Sequence, residues 1–493
     1  MKKESPSTLL TNYLHICKAA EASNDGHRCM IAPSPEIREK LKKELKQLRK
    51  LTADSSMSFL LQPRMNKRLG LNDSLLLPGN MFALGSSVER VRSASSQRTP
   101  LRGKVRVIVV MVEFADKKFT TPKNYYKDLF FSTGQIPTGS VKEYFLEVSD
   151  GQVEITGEVV GPFKLPQKMA YYAHGESGTG NSQPNARTMA QDAAKLANPS
   201  VIFSNYDNDS DGYVDAFVVV HAGRGAEETA NPNEIWSHKW LLPQPMATDD
   251  TTIYSYLTIP EDCKLGVCAH ELGHLLFGFP DLYDTEEPGE GVGNWCLMGG
   301  GSWNDGGRTP AHPCAWCKEQ QGWVKVIRQT NNQLNVSIED VKKSKQVYRL
   351  WKDGSMGNEY FLLENRQRAR FDKFLPGEGL LIWHVDNAMP DNTNEFHYKV
   401  ALMQADGKKQ LELGVNRGDA GDIWPGTVRK AQFTARSKPN SNSYGNLPTD
   451  VQVRNIKQTG VVVTADLYVK KGRQRKTVRV PKPAKAGKTA KAG

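Results

Sequence analysis

The stretch VCAHELGHLLFGFPDLYD, residues 267–284, constrains the chain more than any other. His270 and His274 stand four apart. On a helix that spacing puts both imidazoles on one face, about 6 Å apart along the axis. Glu271 follows the first histidine and projects from a neighbouring face. Val267, Cys268, Ala269, Leu272, Leu275 and Leu276 give the helix an apolar side to bury. Gly278 can end it and Pro280 prevents it from restarting. Two imidazoles and a carboxylate in this pattern suit a zinc ion that lowers the pKa of a water toward ~7, with Glu271 as general base.

Two histidines leave zinc short of the three protein ligands common at catalytic sites. Asp281, Asp284 and Glu319 are the candidates for the third. Asp281 ranks first, as the first carboxylate beyond the glycine able to fold back over the metal. Asp284 reads as a capping acid, and Glu319, in CKEQQGW, as part of a solvated helical face.

The 493 residues have room for two or three domains. No run approaches the ~18 apolar residues of a membrane helix. The start, MKKESPSTLLTNYL, has no apolar stretch or cleavage site, so no signal peptide is expected in the chain as given. The net charge of +11 hints at nucleic acid, but location removes the hint. Ten Lys and Arg and no acid lie from Lys470 onward, which leaves 55 basic residues of 65 against 54 acidic ones. The tail lacks aromatic residues for base stacking, so no specific nucleic-acid partner is expected. It could contact polyanions and is expected to be disordered. Nothing points to an oligomer, and a monomer is expected.

Four regions follow from the pattern. Residues 1–100 read as an accessory or pro-segment-like region with a charged amphipathic helix from Glu36 to Leu51 and linker-like stretches after it. Residues 101–325 mix helices and strands. Val105 to Val112 forms a continuous β-branched run expected to be a buried strand. EVSDGQVEITGEVVGPF is expected to be a hairpin turning at Asp150-Gly151. Ala186 to Ala197 is expected to be a helix, and DAFVVVHAG a buried strand. Residues 326–469 carry short strand-like segments (VYRLW, EYFLLENR, GLLIWHV, KVALMQA, VVVTADLYV), expected to form a β-sandwich-like domain. Residues 470–493 are the basic tail. The fold class is therefore α+β.

Smaller constellations add to this. In YDNDSDGYVDAF, Asp207, Asp209, Asp211, the backbone of Tyr213, and Asp215 match the first half of a calcium loop. Val218 stands where the closing glutamate would be, so residues elsewhere would have to complete a Ca2+ site. Gly223 and Gly225 in HAGRGAEE permit close backbone approach, so this loop could line a cleft. His221 and His238 read as structural histidines, and His384 and Asp386 as packing residues. The seven cysteines are an odd number. Cys314 and Cys317 form a C-x-x-C, more simply read as buried thiols than as a metal or redox site. Cys29, in GHRCMIAPSP, could place a thiolate on an open zinc position, or the segment could be plain packing.

GSVKEYFLEVSDGQVEITGEV, YDNDSDGYVDAFVVVHAGRGAEE, IWSHKW, CAHELGHLLFGFPDLYD, WCLMGGGSWN, EYFLLENRQ and GLLIWHVD together resemble the immune inhibitor A-like metallopeptidases, over about residues 103 to 468. The resemblance implies a metzincin-like zinc endopeptidase domain followed by a β-rich domain, acting on protein or peptide substrates, and favours a secreted protein. It makes His270 and His274 zinc ligands, Glu271 the base, and Met298 the residue of a methionine turn beneath the metal. Gly278 and Asp281 each stand one residue later than in the usual H-E-x-x-H-x-x-G-x-x-D. The alternative is a zinc-binding pseudoprotease serving as an interaction module. Retention of Glu271 argues against it, since a binding-only site has no use for that base.

Overall fold

The computed structural model describes residues 8–12, 29–51, 99–285 and 289–470, with side chains through residue 44 in the second segment. The linker-like stretch after the first helix and the basic tail beyond residue 470 lie outside the described residues.

A six-stranded sheet organises the first half of the chain. Its strands are β1 (Cys29–Met30), β2 (Gly103–Glu113), β3 (Val153–Lys164), β4 (Phe217–His221), β5 (His238–Ala247) and β6 (Thr252–Pro260), in the order β1-β5-β6-β4-β2-β3. β3, β2, β4 and β6 run parallel, whereas β5 is antiparallel to β6 and β1 is antiparallel to β5. The β-branched run of β2 explains its interior place, between β4 and β3. Val105, Val107 and Val109 face one buried cluster and Ile108, Val110 and Val112 the other, as a period of two requires.

Helices cover both faces. After α1 (Pro35–Leu51), whose Ile37 and Leu41 are buried four residues apart, come α2 (Lys123–Phe131), α3 (Val141–Val148), α4 (Ala186–Ala197) and α5 (Leu265–Phe277). α2, α3 and α5 share one cluster, and α4 packs on the other side.

One expectation is corrected. EVSDGQVEI is not a hairpin. Glu147 and Val148 end α3, which a capping box of Ser140 and Glu143 starts. Asp150 and Gly151, both at positive φ, turn the chain from helix into β3, which pairs parallel to β2. Parallel neighbours need a crossover, and α2 and α3 supply it. The Asp-Gly signal marked a turn correctly, but a turn does not say what lies before it.

Beyond α6 (Ala315–Gln321) the chain is mainly strands. β7 (Lys325–Arg328), β9 (Gln346–Leu350), β10 (Glu359–Arg366), β11 (Gly379–Asp386) and β12 (Val400–Leu402) form one sheet. β8 (Gln333–Ile338), β13 (Gln452–Thr459) and β14 (Val462–Tyr468) form another. Phe361, Leu363 and Ile382 of the larger sheet share a buried cluster with Ile338, Val453 and Val463 of the smaller. The opposite face of the larger sheet, with Leu362, Leu381 and Trp383, packs into the cluster that holds α5. None of the described helices is long and apolar enough to cross a membrane.

Candidate metal centre

α5 is buried along its whole length. Gly278 ends it in the left-handed region, at φ +64°, with its N–H donating to His274 O and that of Phe279 to Gly273 O. The turn that follows carries Asp281 back over the helix. The N–H of Leu282 donates to Met298 O at 2.8 Å, which pins this return to the loop beneath.

The histidines are oriented from behind. His270 Nδ1 donates to Leu297 O at 3.0 Å and His274 Nδ1 donates to Phe279 O. Those bonds commit the Nδ1 protons and leave both Nε2 lone pairs pointing inward. The two Nε2 atoms lie 3.0 Å apart, and Asp281 Oδ1 lies 3.1 Å from one and 3.2 Å from the other. Three acceptors thus meet in a buried space. One proton could bridge a single pair, whereas a cation satisfies all three. Ligand atoms about 2.0–2.1 Å from a tetrahedral zinc stand roughly 3.3 Å from one another, close to the separations found. Burial opposes ionisation of Asp281, yet His274 and His270 hold its carboxyl far below the usual range. Burial pushes His274 down, toward the neutral ring a metal needs.

Glu271 stands beside this triangle, fully buried. Neither of its oxygens meets a partner at hydrogen-bond geometry. Burial first, then the charges of Asp281 and Glu227, raise its carboxyl well above the usual range, and the nearby Ile31 backbone works against them. Met298 forms the floor. A Cβ at Gly273 would come within 3.0 Å of Met298 Sδ, so the sulfur packs directly under the turn between the two histidines.

The other third-ligand candidates are elsewhere. Asp284 accepts from Gly289 N at 3.1 Å. Glu319 pairs with Arg349 at 3.2 Å and accepts from Tyr360 OH at 2.6 Å. Its helix is not a solvated face as expected, because β10 and β11 pack against α6 and bury Trp316, Cys317 and Lys318.

The calcium-loop pattern is gathered in part. Asp207, Asp209 and Asp215 bring carboxylate oxygens within 4.8 Å of one another. Asp211 does not join them. Its carboxylate turns back to accept from Tyr213 N at 2.9 Å, and no described contact places the Tyr213 carbonyl at the group. Alternation in sequence does not survive here because the loop is tightly turned, with Ser210 and Gly212 at positive φ.

His238 is satisfied at both ring nitrogens, by Trp236 O and Tyr256 OH. His221 is held at Nδ1 by Ala222 O, while its buried Nε2 meets no partner. His384 pairs with Glu359 and stacks on Tyr444, and Asp386 pairs with His397. Both therefore pack the second half of the chain.

The first segment crosses the centre. β1 adds to the free edge of β5, with Cys29 opposite Lys239 and Met30 opposite His238. The Cys29 thiol, His274 and Asp281 could hold one ion together. Around it the N–H of Ile31 donates to Ser237 O, Trp236 Nε1 to Ile31 O at 2.8 Å, Trp303 Nε1 to Ala32 O at 3.0 Å and Ser34 N to Glu227 O at 2.8 Å. Arg38 and Lys42 of α1 both pair with buried Glu290. Glu227 of the HAGRGAEE loop thus lies against this segment. Burial raises the Glu227 carboxyl to about 7, and Ser237 donates to it from both backbone and hydroxyl. Glu227, Trp236 and Trp303 carry no local signal for these roles, because their partners Ser34, Ile31 and Ala32 lie at the far N-terminal end of the described chain.

Residues 99–330 match the family described as immune inhibitor A peptidase M6, catalytic domain. This segment belongs to that peptidase family. An immune inhibitor A-type domain is thus what carries the histidine pair, Glu271, Asp281 and Met298. The chain is 29% identical over 312 residues to Immune inhibitor A of Bacillus thuringiensis subsp. alesti, covering 50% of this chain and 45% of the relative. It is 31% identical over 238 residues to the pre-pro-metalloprotease PrtV of Vibrio cholerae serotype O1, strain M66-2, covering 40% of this chain and 26% of the relative. The matches therefore span less than half the length of these relatives. The family and the relatives' names agree with a metalloprotease assignment.

Proposed function

We propose that the chain is a zinc-dependent endopeptidase with His270, His274 and Asp281 as ligands and Glu271 as general base. The observation that carries this reading is the convergence of three acceptor atoms within 3.2 Å of one another in a buried space beside a partnerless carboxylate. When bound, zinc supplies Lewis acidity and brings the pKa of water toward ~7. Glu271 takes the proton of the attacking water at a carboxylate oxygen and delivers it to the leaving amine nitrogen. The Nδ1 bonds of His270 and His274 to Leu297 O and Phe279 O aim both Nε2 atoms at the ion. The edge of β5 receives an extended peptide by backbone pairing, as it receives β1.

On the same reading residues 29–44 restrain the enzyme. They fill the edge that substrate needs and bring the Cys29 thiol to the metal ligands. Asp207, Asp209 and Asp215 would hold a Ca2+ that braces the chain ahead of β4. The two C-terminal sheets would form a sandwich-like domain supporting the floor of the site. The substrates are proteins or peptides, and the family resemblance favours action outside the cell.

Azocasein hydrolysis by protein freed of the N-terminal segment tests the reading. Hydrolysis should stop with 1,10-phenanthroline and return with Zn2+. Stoichiometric zinc without hydrolysis would instead identify a pseudoprotease.

A further inference from the structure

A second group of soft ligands lies beneath the centre. The Sγ atoms of Cys296, Cys314 and Cys317 come within 4.8 Å of one another, and all three residues are fully buried. Cys314 Sγ and Cys317 Sγ are 3.8 Å apart, far beyond the ~2.05 Å of a disulfide. Two thiolates on one tetrahedral ion at about 2.3 Å each stand roughly 3.8 Å apart. Distance alone would not decide the matter, since Cys263 and Cys268 show the same separation. That pair belongs to no such group among the described residues, whereas the other has Cys296 facing it.

The surroundings suit thiolate sulfur. Met298 N and Cys314 N both donate to Cys296 Sγ, at 3.4 and 3.2 Å. The buried guanidinium of Arg366 reaches Trp295 O, one residue away. Three thiols cannot all be paired as disulfides, so oxidation would leave one buried and single. A thiophilic d10 ion uses all three.

We propose that Cys296, Cys314 and Cys317 form a second metal site, binding one thiophilic cation, Zn2+ or Cu+, as three thiolates. Binding forms three metal–sulfur bonds and releases three thiol protons. The site ties the start of α6 to the loop that carries Leu297 and Met298. It thereby steadies the carbonyl that orients His270 and the floor under Gly273. It does not depend on the zinc ligation proposed above.

The test uses the full chain, reduced, loaded with Zn2+ alone or with Cu+ alone, and desalted. With Zn2+ the wild type should retain about two ions per chain. The variant His270→Ala/Cys29→Ser, which removes the first centre and its thiol, should retain about one. X-ray absorption of that remaining ion should show sulfur ligands at about 2.3 Å. Retention of Cu+ instead of Zn2+ in the variant would assign the site to copper. Adding Cys314→Ser should remove the remaining ion. The proposal is overturned if the variant keeps neither metal, whether its thiols all titrate as free or two are lost to a disulfide. It is equally overturned if the wild type binds no sulfur-ligated metal. Cys29 can itself supply sulfur to the first centre of the wild type, so the same absorption measurement on Cys29→Ser alone decides the matter even if the other variants do not fold.

Discussion

Replacing Ile31 with Ala should release the restraint on the enzyme without touching its chemistry. The Ile31 side chain is 1% exposed within the cluster that also holds α5. Its backbone contacts, the N–H to Ser237 O and the carbonyl to Trp236 Nε1, remain available to alanine. Only packing is lost, about 2–4 kcal/mol for deleting most of a buried isoleucine. That loss falls on the docked state alone, because the side chain is solvated when the segment lifts away. At 1.36 kcal/mol per factor of ten the open fraction should rise roughly thirty-fold to several hundred-fold. Ile31→Val should raise it only a few-fold to ten-fold, in line with its cost of about 0.5–1.5 kcal/mol. The assay is the initial rate on a quenched fluorescent peptide, with the chain shown intact by electrophoresis before and after. Cys29→Ser should raise the same rate by a separate route. If the parent, Ile31→Ala and Cys29→Ser all hydrolyse the peptide at one equal, measurable rate, residues 29–44 do not block the cleft.

Asp281→Ala should lose zinc to a competing chelator, whereas Asp284→Ala and Glu319→Ala should retain it, measured by metal content after dialysis. Stoichiometric zinc in Asp281→Ala would place the third ligand elsewhere. Burial lowers His221 from 6.5 to about 4, so it is neutral in the fold and charges more readily when unfolded. Stability from this source is complete above about pH 6.5 and lost as pH falls toward 4, roughly 3 kcal/mol. Urea midpoints should fall across that window, and His221→Phe should flatten the slope; an unchanged slope would contradict the assignment. A Cβ at Gly266 would lie 1.8 Å from Ser302 O, backbone that cannot swing aside. Gly266→Ala should therefore cost about 1–3 kcal/mol or more, by thermal melting, and shift α5 against the Met298 loop with loss of activity.

Local periodicity made much of this molecule legible. The burial of β2, the helix from Ala186 to Ala197 and the end of α5 at Gly278 depend on residues within a few turns, and all are found. The turn at Asp150-Gly151 was legible as a turn, but the partner of β3 was not, because pairing depends on helices that cross the sheet. The same limit applies to the site. His270, Glu271 and His274 announce themselves by spacing, and Gly278 explains how Asp281 comes back. That Asp211 would turn to cap Tyr213 depends on loop dihedrals no spacing rule contains. Cys29 comes to His274 only because β1 finds the open edge of β5. The gathering of Cys296 with the C-x-x-C likewise needs the loop beneath α5 to pack on α6.

Glu271 is the buried carboxylate proposed to work on a metal that its neighbours hold. Glu271→Gln keeps the volume and removes the base. Zinc content and azocasein turnover of the processed variant, measured on one preparation, test the claim most directly. About one zinc should remain at the histidine site, as in the wild type, with turnover reduced by ~10²–10⁴-fold. Undiminished turnover, or loss of zinc with activity tracking the metal that remains, would contradict it.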